Sequence, residues 1–132
     1  MTDARVMLVD DEEMIRESVE LFFLSEGIKI LTAASGEECL DHLEDGFRGV
    51  ILMDVMMPEM NGWDTIRKIV ESDLYAGNII VMLTALNAPD NKMDGIQEYV
   101  TDYLTKPFNP NELMDVIRYY FDLLNALEPM DG

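Results

Sequence analysis

The sequence of 132 residues holds little cysteine, and its apolar runs are short. Its one cysteine, Cys39, cannot form a disulfide within the chain, which favours a reducing intracellular setting. A single cysteine can also be a nucleophile, but Cys39 lies in a predicted helix, and we expect a small buried residue. No apolar run reaches the ~18 residues of a membrane-spanning helix, and the N-terminus lacks the basic and apolar regions of a signal peptide. We therefore predict a cytoplasmic protein.

Basic residues are also scarce. Nine lysines and arginines stand against 27 acidic residues, which gives a formal net charge of −18. Only Arg67 and Lys68 are adjacent, so no basic patch offsets this charge. Nucleic acids and anionic membranes carry charge of the same sign and would be repelled. We therefore expect no direct nucleic-acid partner and no membrane partner.

Short apolar runs alternate with helical stretches along the whole chain. The length and an apolar content of 48% fit a single domain, residues 1–132, with a core of about 4–127. The predicted strands are 5–9, 28–32, 50–53, 79–83 and 99–104. The first, third and fourth are almost wholly apolar, as central parallel strands are, whereas polar residues in the second and fifth are typical of edges. This alternation predicts an α/β fold, a doubly wound (βα)5 parallel sheet with helices on both faces.

The predicted helices differ in strength. Ser35 with Glu38, and Asn109 with Glu112, form capping boxes at two helix starts. The first and last helices each carry an apolar stripe at helical spacing: Ile15, Val19, Phe22 and Phe23 in the first, and Leu113, Val116, Ile117, Tyr120, Leu124 and Leu127 in the last.

The fourth predicted helix, residues 87–98, is weak. It contains Pro89, Gly95 and two asparagines, all of which are poor residues for a helix interior. We expect this helix to be short or mobile, and mobility near a ligand-binding edge is often functional.

Polar residues follow four of the five predicted strands. Asp10 and Asp11 end the first strand, Asp54 the third, Thr84 the fourth and Lys106 the fifth. Because the carboxyl ends of parallel strands share one edge, these side chains are expected to converge. Each residue alone has an ordinary interpretation, such as a solvated acidic helix start or a strand-capping threonine. Their joint placement at the strand ends favours a site.

Several carboxylates in one pocket need a cation. Two of them ~4 Å apart cost about 4 kcal/mol at an effective dielectric of 20. A hard divalent ion with oxygen ligands, Mg²⁺ above all and Mn²⁺ as the alternative, suits such a pocket, and Lys106 adds a fixed positive charge. Beside that ion Asp54 can attack phosphorus as a nucleophile, while Thr84 and Lys106 contact the phosphoryl oxygens. His42 has no partner motif, and we interpret it as a surface or groove residue.

The segments "VMLVDDEE", "VILMDVMMPEMNGWD", "VMLTA" and "DYLTKPF" together resemble the receiver domain of two-component response regulators, in order and in spacing. The resemblance covers nearly the entire chain. It implies a flavodoxin-like fold with strand order 2-1-3-4-5. It also implies Mg²⁺-dependent transfer of a phosphoryl group to Asp54 from a sensor histidine kinase or a phosphotransfer protein, and a downstream protein partner.

The resemblance also implies a role for each matching residue. Asp11 and Asp54 would bind Mg²⁺ directly, together with the backbone carbonyl of Met56, and Asp10 would hold it through water. Thr84 would contact the phosphoryl group.

Lys106 would be its second contact, and the Lys106–Pro107 peptide bond would be cis. After phosphorylation Thr84 would be drawn toward the phosphate and the ring of Tyr103 would turn inward. This would rearrange the face formed by the fourth helix, the fifth strand and the fifth helix.

Two departures from the family pattern are visible. Tyr99 and Val100 stand where the family commonly has Gly-Ala, which alters the end of the fourth helix. The variable positions two residues past the aspartate and the threonine are Met56 and Leu86, and apolar side chains orient an attacking water poorly. We therefore predict slow self-dephosphorylation.

Other functions remain open at this point. Since few residues follow the last helix, we expect a switch without an output domain of its own, although a piece of a larger regulator or hybrid kinase is the alternative. We do not expect an enzyme beyond a phosphoacceptor that assists its own phosphorylation. A haloacid-dehalogenase-like phosphatase needs a second acid where this chain has Met56. The remaining alternative is a phosphate-independent pseudo-receiver, an interaction module that normally lacks one of the five site residues.

Overall fold

The computed structural model describes residues 4–85 and 95–127. Within them, five strands and four α-helices alternate along the chain. Their bounds are β1 (Val6–Val9), α1 (Glu13–Ser25), β2 (Leu31–Ala33), α2 (Gly36–Glu44), β3 (Val50–Asp54), α3 (Gly62–Glu71), β4 (Ile79–Ala85), β5 (Val100–Lys106) and α4 (Pro110–Leu127). A short 3₁₀ helix, Gln97–Tyr99, precedes β5.

The strands form one parallel sheet in the order β2-β1-β3-β4-β5. This confirms the predicted flavodoxin-like topology and both predicted edges, β2 and β5. The register pairs Val9 with Met53 and Asp54 with Leu83, so the three central strands end at nearly the same level. Residues that follow these strands therefore lie at one edge of the sheet.

The sheet separates two apolar cores. Successive strand residues point to opposite faces, and every residue of β1 and β3 is buried, because helices cover both faces. One core packs α1 and α4 against alternate strand residues and includes Val6, Leu8, Leu52, Val81, Phe23 and Ile117. The other packs α2 and α3 against the remaining set and includes Met7, Val9, Ile51, Met53, Met82, Leu43 and Ile66.

Side-chain caps fix the starts of α2 and α4. The predicted capping box at Asn109 is complete, because Asn109 and Glu112 each accept a backbone N–H from the other. At α2 the Ser35 hydroxyl accepts the Glu38 N–H at 3.1 Å, as predicted. The Glu38 carboxylate accepts the N–H of Ala34 instead of that of Ser35. The second hydrogen bond of the capping box therefore comes from the residue before the cap.

Three predicted strand boundaries were wrong by two residues or more, and one of them is the end of β4, which reaches Ala85 rather than residue 83. β2 starts at Leu31 rather than at residue 28, since the N–H of Ile28 donates to the carbonyl of Phe23 and ends α1. β5 extends to Lys106, past the predicted end at residue 104. Of the predicted fourth helix, residues 87–94 lie outside the described residues, and the 3₁₀ helix Gln97–Tyr99 is observed near its predicted C-terminal end.

No α-helix in the described ranges is long and apolar enough to cross a bilayer.

Candidate functional site

Asp54 is a buried carboxylate at the end of the central strand β3. The ladder continues past it, where the N–H of Val55 donates to the carbonyl of Leu83. The loop after β3 then returns against the strand, so that a Cβ on Gly62 would lie 2.4 Å from the Asp54 carbonyl oxygen. A glycine at the start of α3 therefore allows the helix to begin directly beside this strand end.

Two more carboxylates lie beside Asp54. One carboxylate oxygen from each of Asp10, Asp11 and Asp54 lies within 4.8 Å of the others. Asp10 and Asp54 are buried, whereas Asp11 is exposed. The structure thus brings together the three acids that the sequence analysis selected, from two strands that are more than forty residues apart.

Lys106 joins this acidic cluster from the end of β5. Its ammonium lies 2.9 Å from Oδ2 of Asp10 and 3.3 Å from Oδ1 of Asp54. The other oxygen of Asp10 accepts the N–H of Glu12 at 2.9 Å. Both oxygens of Asp10 are therefore held, and one cation bridges the two buried carboxylates.

The electrostatics of the cluster favour added positive charge. Burial, the larger cause, and the charge of Asp10 together raise the pKa of Asp54 from 3.8 to about 6, although Lys106 acts in the opposite direction. Burial lowers the pKa of Lys106, but its hydrogen bond to Asp10 and the charges of both aspartates outweigh burial and raise it. A single ammonium does not fully compensate the two buried acids, since the net pKa shift of Asp54 is upward.

The remaining predicted site residues lie at the same edge with different exposure. Thr84, at the end of β4, is half-buried, and its hydroxyl lies 3.4 Å from the carbonyl of Ala85. The Met56 side chain is 65% exposed, and its N–H donates to the Asp54 carboxylate. Tyr103 is 42% exposed, with its ring centroid 6.4 Å from that of Trp63.

Three further expectations can be compared with the structure. The Lys106–Pro107 bond is cis, as predicted. Cys39 is a buried residue of α2 with its pKa raised by burial to about 12, which confirms the structural interpretation. His42 is half-buried on α2, with Nε2 3.1 Å from the carbonyl of Thr32. Leu86 lies outside the described residues.

Sequence reasoning missed Arg16. Nη1 of Arg16 donates to the backbone carbonyl of Asp10 at 2.8 Å. Glu12 at the start of α1 makes no side-chain cap hydrogen bond, and the sequence carries no motif for a contact to a backbone carbonyl. It also missed a third capping box, between Asn61 and Asp64, which begins α3 beside the site.

The donor set fits a hard divalent cation. All three converging groups are carboxylates, which Mg²⁺ prefers as ligands. Asp11 is exposed, so the cluster is accessible to an ion from solvent on that side. Soft sulfur or imidazole ligands, which select zinc or copper, are absent from this cluster.

The family model described as "Response regulator receiver domain" matches residues 6–118. Curated relatives include response regulator Rre1 of Synechocystis sp., 33% identical over 114 residues, which are 86% of this chain and 49% of that protein. Transcriptional regulatory protein CpxR of Escherichia coli K12 is 34% identical over 86% of this chain and 47% of its own. The chain thus spans about half the length of the curated relatives that it matches.

Solved structures agree in fold. A CheY-like response regulator receiver domain protein from Methanospirillum hungatei JF-1 is 48% identical with a TM-score of 0.87, over 92% of this chain and 96% of that one. Chemotaxis protein CheY4 of Vibrio cholerae is 33% identical with a TM-score of 0.77, over 90% of this chain and 99% of that one.

The expectation of no nucleic-acid partner receives no support from the relatives, since several are named transcriptional regulators.

Proposed function

Because the chain belongs to the response regulator receiver domain family of two-component systems, we propose that Asp54 is its phosphoacceptor. The donor is the phosphohistidine of a sensor histidine kinase or of a phosphotransfer protein. The observation that carries this proposal is the buried Asp54 carboxylate, within 4.8 Å of those of Asp10 and Asp11 and 3.3 Å from the Lys106 ammonium. In this reading residues 1–132 are one receiver domain that acts in the cytoplasm.

In the transfer, a carboxylate oxygen of Asp54 forms a bond to phosphorus while the bond from phosphorus to the donor imidazole nitrogen breaks. The imidazole leaves with the electron pair and takes up a proton, and Asp54 becomes an acyl phosphate. Asp11, Asp54 and the backbone carbonyl of Met56 would hold Mg²⁺, with Asp10 acting through water, and the ion would neutralise charge on the phosphoryl group. Lys106 pairs with a phosphoryl oxygen.

The negative charge of the bound phosphoryl group then changes the surface that a downstream protein binds. The Thr84 hydroxyl donates to a phosphoryl oxygen, and Tyr103 turns toward the space that this hydroxyl leaves. Both residues lie on neighbouring strands, β4 and β5, whose register pairs Thr84 with Thr105. The face of β5 and α4 changes with them, and a downstream protein reads this change. The chain acts as a switch that assists its own phosphorylation rather than as an enzyme with a separate substrate.

The experiment is incubation of the purified chain with acetyl phosphate and Mg²⁺, followed by intact-mass measurement. We expect the wild type to gain one phosphoryl group and the Asp54→Asn variant to gain none. Asp41→Asn, at an exposed aspartate on α2, is the matched control and should behave as the wild type does.

A phosphoryl group that persists in the Asp54→Asn variant would place the acceptor elsewhere and refute the assignment. No gain in the wild type, while Mg²⁺ still binds, would favour the pseudo-receiver alternative and direct the search toward partners of the unphosphorylated chain.

A further inference from the structure

The turn from β1 into α1 concentrates negative charge without a helix cap. Residues 10–13 are four consecutive acids, and Arg16 is the sole basic residue in the helix that follows. Glu12, at the cap position, makes no side-chain cap hydrogen bond to the first turn. Like charges in adjacent positions repel one another, so this turn needs another contact to hold one conformation.

Arg16 supplies that contact. Its Nη1 donates to the carbonyl of Asp10 at 2.8 Å, and this hydrogen bond ties the first turn of α1 to the end of β1. The other polar atoms of Asp10 also have partners: its N–H donates to the carbonyl of Ala33, and its two carboxylate oxygens accept from Glu12 and Lys106. Asp10 is fully buried, and its carbonyl oxygen has the Arg16 guanidinium as its hydrogen-bond donor.

We propose that Arg16 is a positioning residue for the acidic cluster. By holding the Asp10 carbonyl it fixes the turn that presents the adjacent Asp10 and Asp11 side chains, and it thereby sets the affinity of the cluster for Mg²⁺. Arg16 touches neither the metal nor the phosphoryl group. The inference rests on the proposed function, because it assumes that these acids hold Mg²⁺.

The test is Mg²⁺ binding to the full chain by isothermal titration calorimetry. Arg16→Met keeps the length of the side chain but removes its donors and charge, and we expect Mg²⁺ affinity about tenfold weaker, as for other groups that orient metal ligands. Arg16→Lys keeps a charge and a donor, and we expect it to retain most of the affinity. Arg67→Met, at an exposed arginine of α3, is the matched control and should leave affinity unchanged.

Melting in the presence of a chelator separates this role from a purely structural one. If Arg16→Met lowers the melting temperature but binds Mg²⁺ as tightly as the wild type does, the inference is overturned. If that variant does not fold, Arg16→Gln replaces it, and the same loss of affinity is expected because the shorter amide does not reach the Asp10 carbonyl. A wild type that binds no Mg²⁺ overturns the inference as well.

The two proposals fail in different measurements. Unchanged Mg²⁺ affinity in the Arg16 variants, in a chain that still gains a phosphoryl group at Asp54, refutes the inference alone. Weakened affinity in Arg16→Met, in a chain whose wild type gains no phosphoryl group, supports the inference and refutes the proposed function.

Discussion

Replacing Asp54 by asparagine is expected to stabilise the metal-free protein, and to do so more strongly as the pH rises. The carboxylate is buried beside Asp10, and these two causes raise its pKa from 3.8 to about 6 in spite of Lys106. The folded wild type therefore binds a proton at Asp54 more tightly than the unfolded chain does. The stabilisation that this protonation provides is complete below about pH 4 and is lost as the pH rises through about 6.

The magnitude follows from the shift. A change of about two pKa units corresponds to about 3 kcal/mol of folding free energy at 1.36 kcal/mol per unit. About 2 kcal/mol of this lies between about pH 4 and about pH 8. Little discount for solvent applies, since the Asp54 side chain is only 5% exposed. Asparagine carries no charge, so the variant has no buried carboxylate to ionise. The free energy of unfolding of the variant should therefore rise, relative to that of the wild type, by about 2 kcal/mol between about pH 4 and about pH 8.

Urea unfolding in a chelator, at several pH values for wild type and Asp54→Asn, measures this difference. The other titrating groups are common to both proteins, and the effects of those that do not contact Asp54 cancel in the comparison. Asp41→Asn serves as the control for loss of an exposed negative charge. Adding Mg²⁺ at about pH 8 should stabilise the wild type, because a ligand that binds only the folded state adds to its stability, and should have little effect on the variant.

If the difference in the free energy of unfolding between the two proteins does not change with pH across this range, the reasoning is refuted. A wild type that becomes more stable than the variant as the pH rises would show that the ion pair with Lys106, 3.3 Å away, outweighs burial.

Three further changes have expected outcomes. Gly36→Ala should lower the free energy of unfolding by about 1–3 kcal/mol, since the new Cβ would lie 2.2 Å from Oγ1 of Thr65. Tyr120→Phe should lower it by about 1.5 kcal/mol, because the tyrosine hydroxyl donates at 2.9 Å to the carboxylate of Asp102. Met56→Asn should shorten the half-life of the phosphorylated protein, followed by intact mass, because a polar side chain at this exposed position can orient an attacking water.

Each of these outcomes has a control. The double variant Gly36→Ala with Thr65→Ala should recover part of the stability, and no recovery would contradict the steric explanation. Tyr119→Phe, at the exposed neighbour of Tyr120, should cost little, and an equal cost would show that the hydrogen bond to Asp102 is not the cause. Leu86→Glu should shorten the half-life as well, and an unchanged half-life in both variants would contradict the prediction of slow self-dephosphorylation.

The topology could be predicted from the sequence because its signals are local or periodic. Uninterrupted apolar runs, such as residues 79–83, predict strands buried on both faces, and the motif resemblance supplied the strand order. Boundaries were less accessible, since they depend on hydrogen bonds between residues of different elements. Ile28 has the composition of a strand residue, but its N–H closes the end of α1.

The acids and the lysine of the site could be predicted because parallel strands end at one edge. The distances among them could not, because they depend on side-chain geometry at the ends of three strands. Lys106 was expected as a charge for the phosphoryl group, and the structure additionally places it between Asp10 and Asp54. Arg16 escaped prediction because its partner is a backbone carbonyl, which no sequence motif records.

The contact between Trp63 and Tyr103 gives the molecule an optical probe of its own state. Trp63 is the one tryptophan of the chain, it is buried, and its ring centroid lies 6.4 Å from that of Tyr103. Emission from a single indole comes from one known place, without the averaging that several tryptophans would cause. A rotation of the neighbouring phenol changes the polarity and the quenching that this indole experiences. The kinetics of switching can therefore be followed by intrinsic fluorescence in the unlabelled protein, from an indole beside Tyr103, the residue whose rotation is proposed.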